Sequence, residues 1–231
     1  MSAEDASKLA VLEIGAGREE AELTVILMHG LGANGEDFAD VAHVLSRSAL
    51  PQKWRFVLPH AKEIPVTINN GMIMPAWYDI ISLTHPREVD WDTVADCQQE
   101  IEALMKEEKA PRLILAGFSQ GAAMALHIGL RNQSKVDAVL MMSGYLVESE
   151  ERPAPVSECD LPIAIFHGQE DEVVPLEAAD TTLTSLRSAG YAPSFQSYPG
   201  LPHSVSQEEV RDVFNWLTEQ VIAERAVRGS E

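Results

Sequence analysis

Apolar residues recur along this chain in two alternating rhythms. Short unbroken runs, many of them β-branched, cover LTVILMHG (23–30), WRFVLP (54–59), RLILAGFS (112–119), DAVLMMSG (137–144), LPIAIFHG (161–168) and PSFQSYP (193–199). Between them lie stretches whose apolar positions fall three and four apart, as on one face of a helix. Phe38, Val41, Val44 and Leu45 do so in 35–48, and Val94, Cys97, Ile101, Leu104 and Met105 in 91–109. QGAAMALHIGLR (120–131) predicts a helix rich in small residues. Residues 175–190 predict one with proline at its start and glycine at its end. The last helix, 206–226, opens on Ser206 with Glu209 three residues on, a capping-box signature, and buries Val210, Val213, Phe214, Leu217 and Val221.

Several of the runs are apolar on both faces. Such strands belong in a parallel sheet covered by helices on both sides. The strand–helix order predicts an α/β fold, a three-layer sandwich with a mostly parallel central sheet and right-handed crossovers. No repeat, low-complexity tract or long linker divides the chain, so residues 1–231 are expected to form a single domain. One stretch breaks the rhythm: EIPVTINNGMIMPAWYDIISL (63–83) places Asn70-Gly71 between extended segments. Asn-Gly favours the type I′ turn of a tight hairpin, so this stretch is expected to leave the sheet as a short flap.

Charge and cysteine usage narrow the function. Seventeen basic and 36 acidic residues give a net charge of −19, which repels phosphate backbones and anionic membranes. Nucleic acid is therefore set aside as a partner. Cys97 and Cys159 make no disulfide framework, and Cys97 falls on a helical apolar stripe, so a buried thiol is expected there. The N-terminal stretch shows no basic region ahead of an apolar one, and no run is long enough to span a bilayer. Cytoplasmic location without stable membrane insertion is the expectation. HExxH, CxxC and GxxxxGK[ST] are all missing, and no metal and no cofactor are expected.

In an open parallel sheet, ligands bind at the carboxyl ends of the strands. Four ends carry chemistry: His29-Gly30-Leu31-Gly32, then Ser119 within GFSQG, then His167-Gly168-Gln169-Glu170-Asp171, then His203. Serine, acid and histidine thus follow one another in the order of an α/β-hydrolase. A serine hydroxyl needs a base in contact to attack, histidine titrates near neutrality, and a carboxylate fixes the imidazole tautomer. Glu170, Glu172 and Asp160 compete with Asp171; Asp160 precedes its strand and sits at the wrong edge, and loop position, with the resemblance described below, favours Asp171 over its glutamate neighbours. Small residues two before and two after Ser119 permit a sharp strand-to-helix turn. The backbone N–H of Gln120 is then a candidate oxyanion donor, with Leu31 supplying the second. His29 and His167 are expected to shape their loops. His43 and His85 hold no strand-end position, His60 directly follows the proline that ends WRFVLP, and His127 lies within a helix.

Five motifs in order, HGLGANGEDF (29–38), WYDI (77–80), GFSQGAAMAL (117–126), HGQEDEVVP (167–175) and HSVSQEE (203–209), resemble the carboxylesterase / acyl-protein thioesterase family of small α/β-hydrolases. The resemblance runs from about residue 20 to residue 220. It implies Ser119 as nucleophile, Asp171 and His203 as its partners, and Leu31 and Gln120 as oxyanion donors. It implies that the flap, a short one, covers an acyl site, with Trp77, Tyr145 and Val173 flanking the acyl channel; the alternative for Trp77 is a core tryptophan under the flap, and Met74 of the apolar flap is also expected to contact substrate. Members cleave short- to medium-chain carboxylic esters, lysophospholipids or acyl thioesters on proteins, and many pair as homodimers. A small-molecule ester or acylated substrate and a homodimer are therefore expected. A peptidase or lactonase of the same fold, or a non-catalytic acyl-binding protein, is the alternative. Two residues depart from the usual pattern: Ala122, where a glycine often follows GFSQG, and Pro202, where glycine more often precedes the histidine.

Overall fold

The structure is a computed structural model that describes residues 9–49, 53–84, 87–149, 152–157 and 160–228, with side chains described as far as Gln220. His85, Cys159 and the side chain of Val221 lie outside what is described. A seven-stranded sheet runs through the molecule. Its strands are β1 (Val11–Gly15), β2 (Leu23–Met28), β3 (Trp54–Pro59), β8 (Leu113–Phe118), β9 (Ala138–Met142), β10 (Ile163–Gly168) and β11 (Ser194–Tyr198). They stand in the order β1-β3-β2-β8-β9-β10-β11. Only β1 is antiparallel; it pairs with β3, and every other neighbour is parallel. The mostly parallel sheet is therefore as the apolar runs require. β1 is an addition to the sequence reading.

Alternation along the strands explains the layers. Leu113 and Leu115 of β8 enter one core with residues of α2 (Trp91–Glu107), α3 (Gln120–Arg131) and α4 (Leu176–Ser188). Ile114 and Ala116 enter the other with residues of α1 (Ala39–Ser48) and α5 (Gln207–Arg228). Strands β2, β3 and β10 are buried along their whole length, which is why they read as continuous apolar runs. The chain winds outward from β2 to β3 on one side and from β8 to β11 on the other. The order thus reverses between β2 and β8, the kind of switch point where open α/β sheets bind ligands. Cys97 is buried on α2 as expected, and burial pushes its thiol well above the ordinary range.

The flap is a hairpin of β4 (Glu63–Val66) and β5 (Met72–Pro75), paired antiparallel from Glu63–Pro75 to Val66–Met72. Its turn differs from the tight one expected. Residues 67–69 form a single 3₁₀ turn that ends in a Schellman motif. Gly71 N–H donates to Val66 O and Asn70 N–H to Thr67 O, each at 3.0 Å. Asn70 (φ 58°) and Gly71 (φ 72°) take the left-handed conformations that Asn-Gly favours, but as a helix stop. A second small pair, β6 (Ile80–Ser82) with β7 (Glu88–Val89), returns the chain to α2.

At the start of α5, Ser206 Oγ accepts the Glu209 N–H at 3.0 Å, which is half of the capping box. The carboxylate of Glu209 is fully buried, and neither oxygen makes a hydrogen bond of good geometry. Burial pushes its pKa up to about 7; the nearby Ser206 backbone N–H opposes this, and Asp212 adds to it. Between the ordinary glutamate pKa and about 7, the folded chain holds a proton that the unfolded chain has released. Stability therefore falls as pH rises through that window. The full cost, on the order of 3 kcal/mol, is present above it. Glu209→Gln is expected to raise Tm by several degrees near pH 8 and to change it little near pH 5. Thermal melts at the two pH values check this.

Candidate active site

Ser119 sits where β8 gives way to α3, with φ 55° and ψ −118°. A non-glycine residue in that region is strained, and here the surroundings hold it. Its N–H donates to Met142 O of the neighbouring strand at 2.9 Å, and its own C=O accepts the Ala123 N–H at 3.1 Å. The flanking glycines leave room for the turn. A Cβ on Gly117 would lie 2.3 Å from the Gly121 carbonyl carbon, and one on Gly121 would lie 2.3 Å from Met28 O. The GxSxG spacing is thus a demand for close backbone approach, between strand and helix and between helix and β2. Ala122 fits for the same kind of reason: its methyl faces Gly144, where a Cβ would come within 2.6 Å.

The structure brings His203 and Asp171 to this serine. Nε2 of His203 lies 3.0 Å from Ser119 Oγ, and Nδ1 lies 2.6 Å from Asp171 Oδ2. The other oxygen of Asp171 accepts the N–H groups of Val173 and Val174 at 2.9 and 2.8 Å. Burial opposes charge on Asp171. The hydrogen bonds from His203, Val174 and Val173 outweigh it and hold the carboxyl below its usual range. An ionised carboxylate only accepts, so the imidazole proton belongs on Nδ1 and the Nε2 lone pair faces the serine. Backbone bonds tie the two loops together. Gln169 N–H donates to Tyr198 O at 2.9 Å and Glu170 N–H to Leu201 O at 3.0 Å. Neither Glu170 nor Glu172 appears in the hydrogen bonds around His203, while Asp171 does.

Leu31 and Gln120 line the same cavity as Ser119. Gly30 packs close, since a Cβ there would be 3.5 Å from Ser119 Cβ. As the first residue of α3, Gln120 has a backbone N–H without an acceptor in its own helix. Its side chain is engaged elsewhere: Oε1 accepts the Trp77 N–H at 2.9 Å and Nε2 donates to Tyr78 O at 2.8 Å. The carboxamide anchors the root of the flap and leaves the backbone N–H to the site.

The cavity measures about 610 Å³ and opens beside Ser119 and His203. Tyr145 and Val173 line it, as expected. Trp77 and Met74 do not. The Trp77 indole N–H donates to His29 O at 2.7 Å, its ring lies 4.8 Å from the His29 ring, and the residue is 3% exposed. It is a core residue beneath the flap. Met74 Sδ accepts from Asn69 Nδ2 at 3.7 Å within the hairpin. Sequence reading also missed wall residues. Phe118, between the first glycine and the serine of GFSQG, packs its ring 4.7 Å from that of His203. Arg87, Phe38, Val41 and Leu83 complete much of the wall. The amphipathic spacing of 35–48 marked Phe38 and Val41 as apolar but not as cavity lining.

The other strand-end histidines are structural. His29 Nδ1 donates to Gly30 O at 2.8 Å, and its Nε2 accepts the Ala61 N–H at 3.1 Å. His167 Nε2 donates to Val174 O at 2.8 Å, bracing the acid loop. Burial lowers the pKa of both. Among the described residues, no group of three or more His, Cys, Asp or Glu is placed to hold a metal ion. No helix among them is long and apolar enough to cross a membrane.

A family model described as phospholipase/carboxylesterase matches residues 9–221. The chain belongs to this phospholipase/carboxylesterase family. It is a hydrolase of the α/β-hydrolase fold. Acyl-protein thioesterase 1 of Gibberella zeae is 34% identical over 212 residues, covering 86% of this chain and 90% of that protein. Acyl-protein thioesterase 1 of Neurospora crassa is 34% identical over 224 residues, covering 90% and 91%. Among solved structures, Arabidopsis thaliana SOBER1 superposes with a TM-score of 0.79 at 26% identity, over 87% of this chain and all of that one. Zea mays acyl-protein thioesterase 2 shares the fold with a TM-score of 0.76 at 24% identity, over 92% and 99%. The family resemblance read from the five motifs therefore holds.

Proposed function

We propose that residues 1–231 act as a single serine-hydrolase domain that cleaves carboxylic esters of short to medium acyl chains through an acyl-enzyme on Ser119. Acyl thioesters on proteins and lysophospholipids are further substrates in this reading. The observation that carries it is the unbroken line of contacts from Ser119 Oγ through His203 to Asp171, at 3.0 and 2.6 Å. His203 Nε2 takes the hydroxyl proton as Oγ attacks the carbonyl carbon. The carbonyl oxygen becomes an oxyanion facing the backbone N–H groups of Leu31 and Gln120. Proton return from His203 to the leaving oxygen or sulfur expels it. Water activated by the same nitrogen then releases the acid. Tyr145 and Val173 contact the acyl chain. The names of the fungal relatives support thioesters as substrates beside oxygen esters.

A fluorophosphonate probe is expected to label the protein once, on Ser119, with hydrolysis of p-nitrophenyl butyrate lost in step. Unlabelled protein, or label elsewhere with activity intact, overturns the reading. The cytoplasmic location and the homodimer belong to this proposal too; light scattering on purified protein tests the second. No observation favours the peptidase, lactonase or non-catalytic alternatives.

A further inference from the structure

One side chain on the cavity wall is unaccounted for by ester chemistry. Arg87 lines the same cavity as Ser119 and His203. Its guanidinium is fixed at two points: Nη2 donates to Val173 O at 2.9 Å, and the central carbon stands 4.4 Å over the Tyr145 ring. A guanidinium has five N–H donors; Val173 O takes one, and the Tyr145 hydroxyl also interacts with the guanidinium. Nε is buried without a protein acceptor, and no carboxylate among the described residues forms an ion pair with Arg87. Asp37, the one acidic residue among the described residues of the wall, is exposed and does not pair with it. Phe38, Val41, Ile80 and Leu83 make much of the remaining wall apolar.

A held cation without a counter-ion, in a largely apolar cavity, is arranged for an anion brought by the ligand. We propose that Arg87 binds a carboxylate or phosphate carried by the substrate, separated from the reacting carbonyl by an apolar spacer. The inference rests on the reading of Ser119 as nucleophile and adds a substrate class to it: esters with an anionic group in the acyl or the leaving half.

The test compares matched pairs of esters in the full-length protein, the Arg87→Met variant and the Arg87→Lys variant. One pair, p-nitrophenyl hemiadipate against p-nitrophenyl hexanoate, puts the anion on the acyl half. The other, monobutyryl glycerol phosphate against monobutyryl glycerol, puts it on the leaving half. In Arg87→Met, the anionic-to-neutral ratio of kcat/KM is expected to fall about tenfold or more for one pair, chiefly through KM. That pair identifies the half that carries the anion. Arg87→Lys restores part of the ratio, because a cation remains. An unchanged ratio for both pairs overturns the inference. So does an equal loss on charged and neutral members, or a gain on longer neutral chains. Arg87 and Tyr145 also wall a second hollow of about 250 Å³, and those results would make Arg87 a partition between the two spaces. Parent protein that resists fluorophosphonate and hydrolyses no neutral ester defeats the reading of Ser119, and this inference falls with it. Labelled, ester-active protein with an insensitive ratio defeats the role of Arg87 alone.

Discussion

Replacing Ser119 by alanine lowers kcat on a carboxylic ester by on the order of 10⁴- to 10⁶-fold, with KM changed only a few-fold. The hydroxyl is the atom His203 Nε2 reaches at 3.0 Å, and no other group at the strand end offers a nucleophile to that nitrogen. Water can still be activated by His203, and the two backbone donors persist, so a residual rate above the uncatalysed one is expected. The fold survives, because the backbone hydrogen bonds of Ser119 to Met142 and Ala123 do not involve the side chain. A second variant separates strain from chemistry. Ser119→Gly removes the same hydroxyl but adopts φ 55° without a Cβ penalty. It is expected to be equally inactive and more stable than Ser119→Ala by about 1 kcal/mol. Steady-state kinetics with urea titrations of both variants check the pair. Parent-like turnover in either would remove Ser119 from the chemistry.

Asp171→Asn is expected to lower kcat by about 10⁴-fold near neutral pH while leaving the residue's position almost unchanged. The carboxylate accepts on both oxygens: two backbone N–H groups on Oδ1 and the imidazole on Oδ2. An amide has one acceptor. If its oxygen stays with Val173 and Val174, its NH₂ faces His203 Nδ1 and turns that nitrogen into an acceptor. The proton then moves to Nε2, which can no longer take one from Ser119. If the amide flips, its NH₂ opposes two backbone donors in a buried loop, at a cost of about 1–3 kcal/mol. The first arrangement is the cheaper one and the inactive one. Activity partly recovered at high pH, where hydroxide replaces the general base, would support the tautomer argument. Retained activity at neutral pH would refute it.

The candidate catalytic side chains were legible in the sequence because each stands beside a local signal. Ser119 lies between glycines that must let backbones touch, and Asp171 and His203 follow apolar runs that become neighbouring strands. Arg87 had no such mark. Its partners, Val173 and Tyr145, lie 86 and 58 positions away, and only the folded loops assemble the three. Trp77 misled for a related reason. An apolar residue in a flap is bound to be covered, but the direction is decided by His29 O, on another strand's loop. Asn70-Gly71 gave the correct backbone conformations and the wrong turn, since loop length follows from the register of β4 on β5. β1 escaped because VLEIG is short and its three apolar residues neither run unbroken nor alternate strictly.

Gln120 has a bearing on how such a protein diverges. Its backbone belongs to the nucleophile's turn, while its carboxamide holds the main chain at Trp77 and Tyr78. A substitution there disturbs two parts at once, so selection on either part constrains both. The hairpin beyond, from Ile64 to Met74, is attached through its two ends and carries exposed Met72 and Ile73 at its tip. Insertions, deletions and new side chains at the tip leave the Gln120 contacts in place. A lineage can therefore rewrite the tip while the root stays fixed by the residue next to the serine.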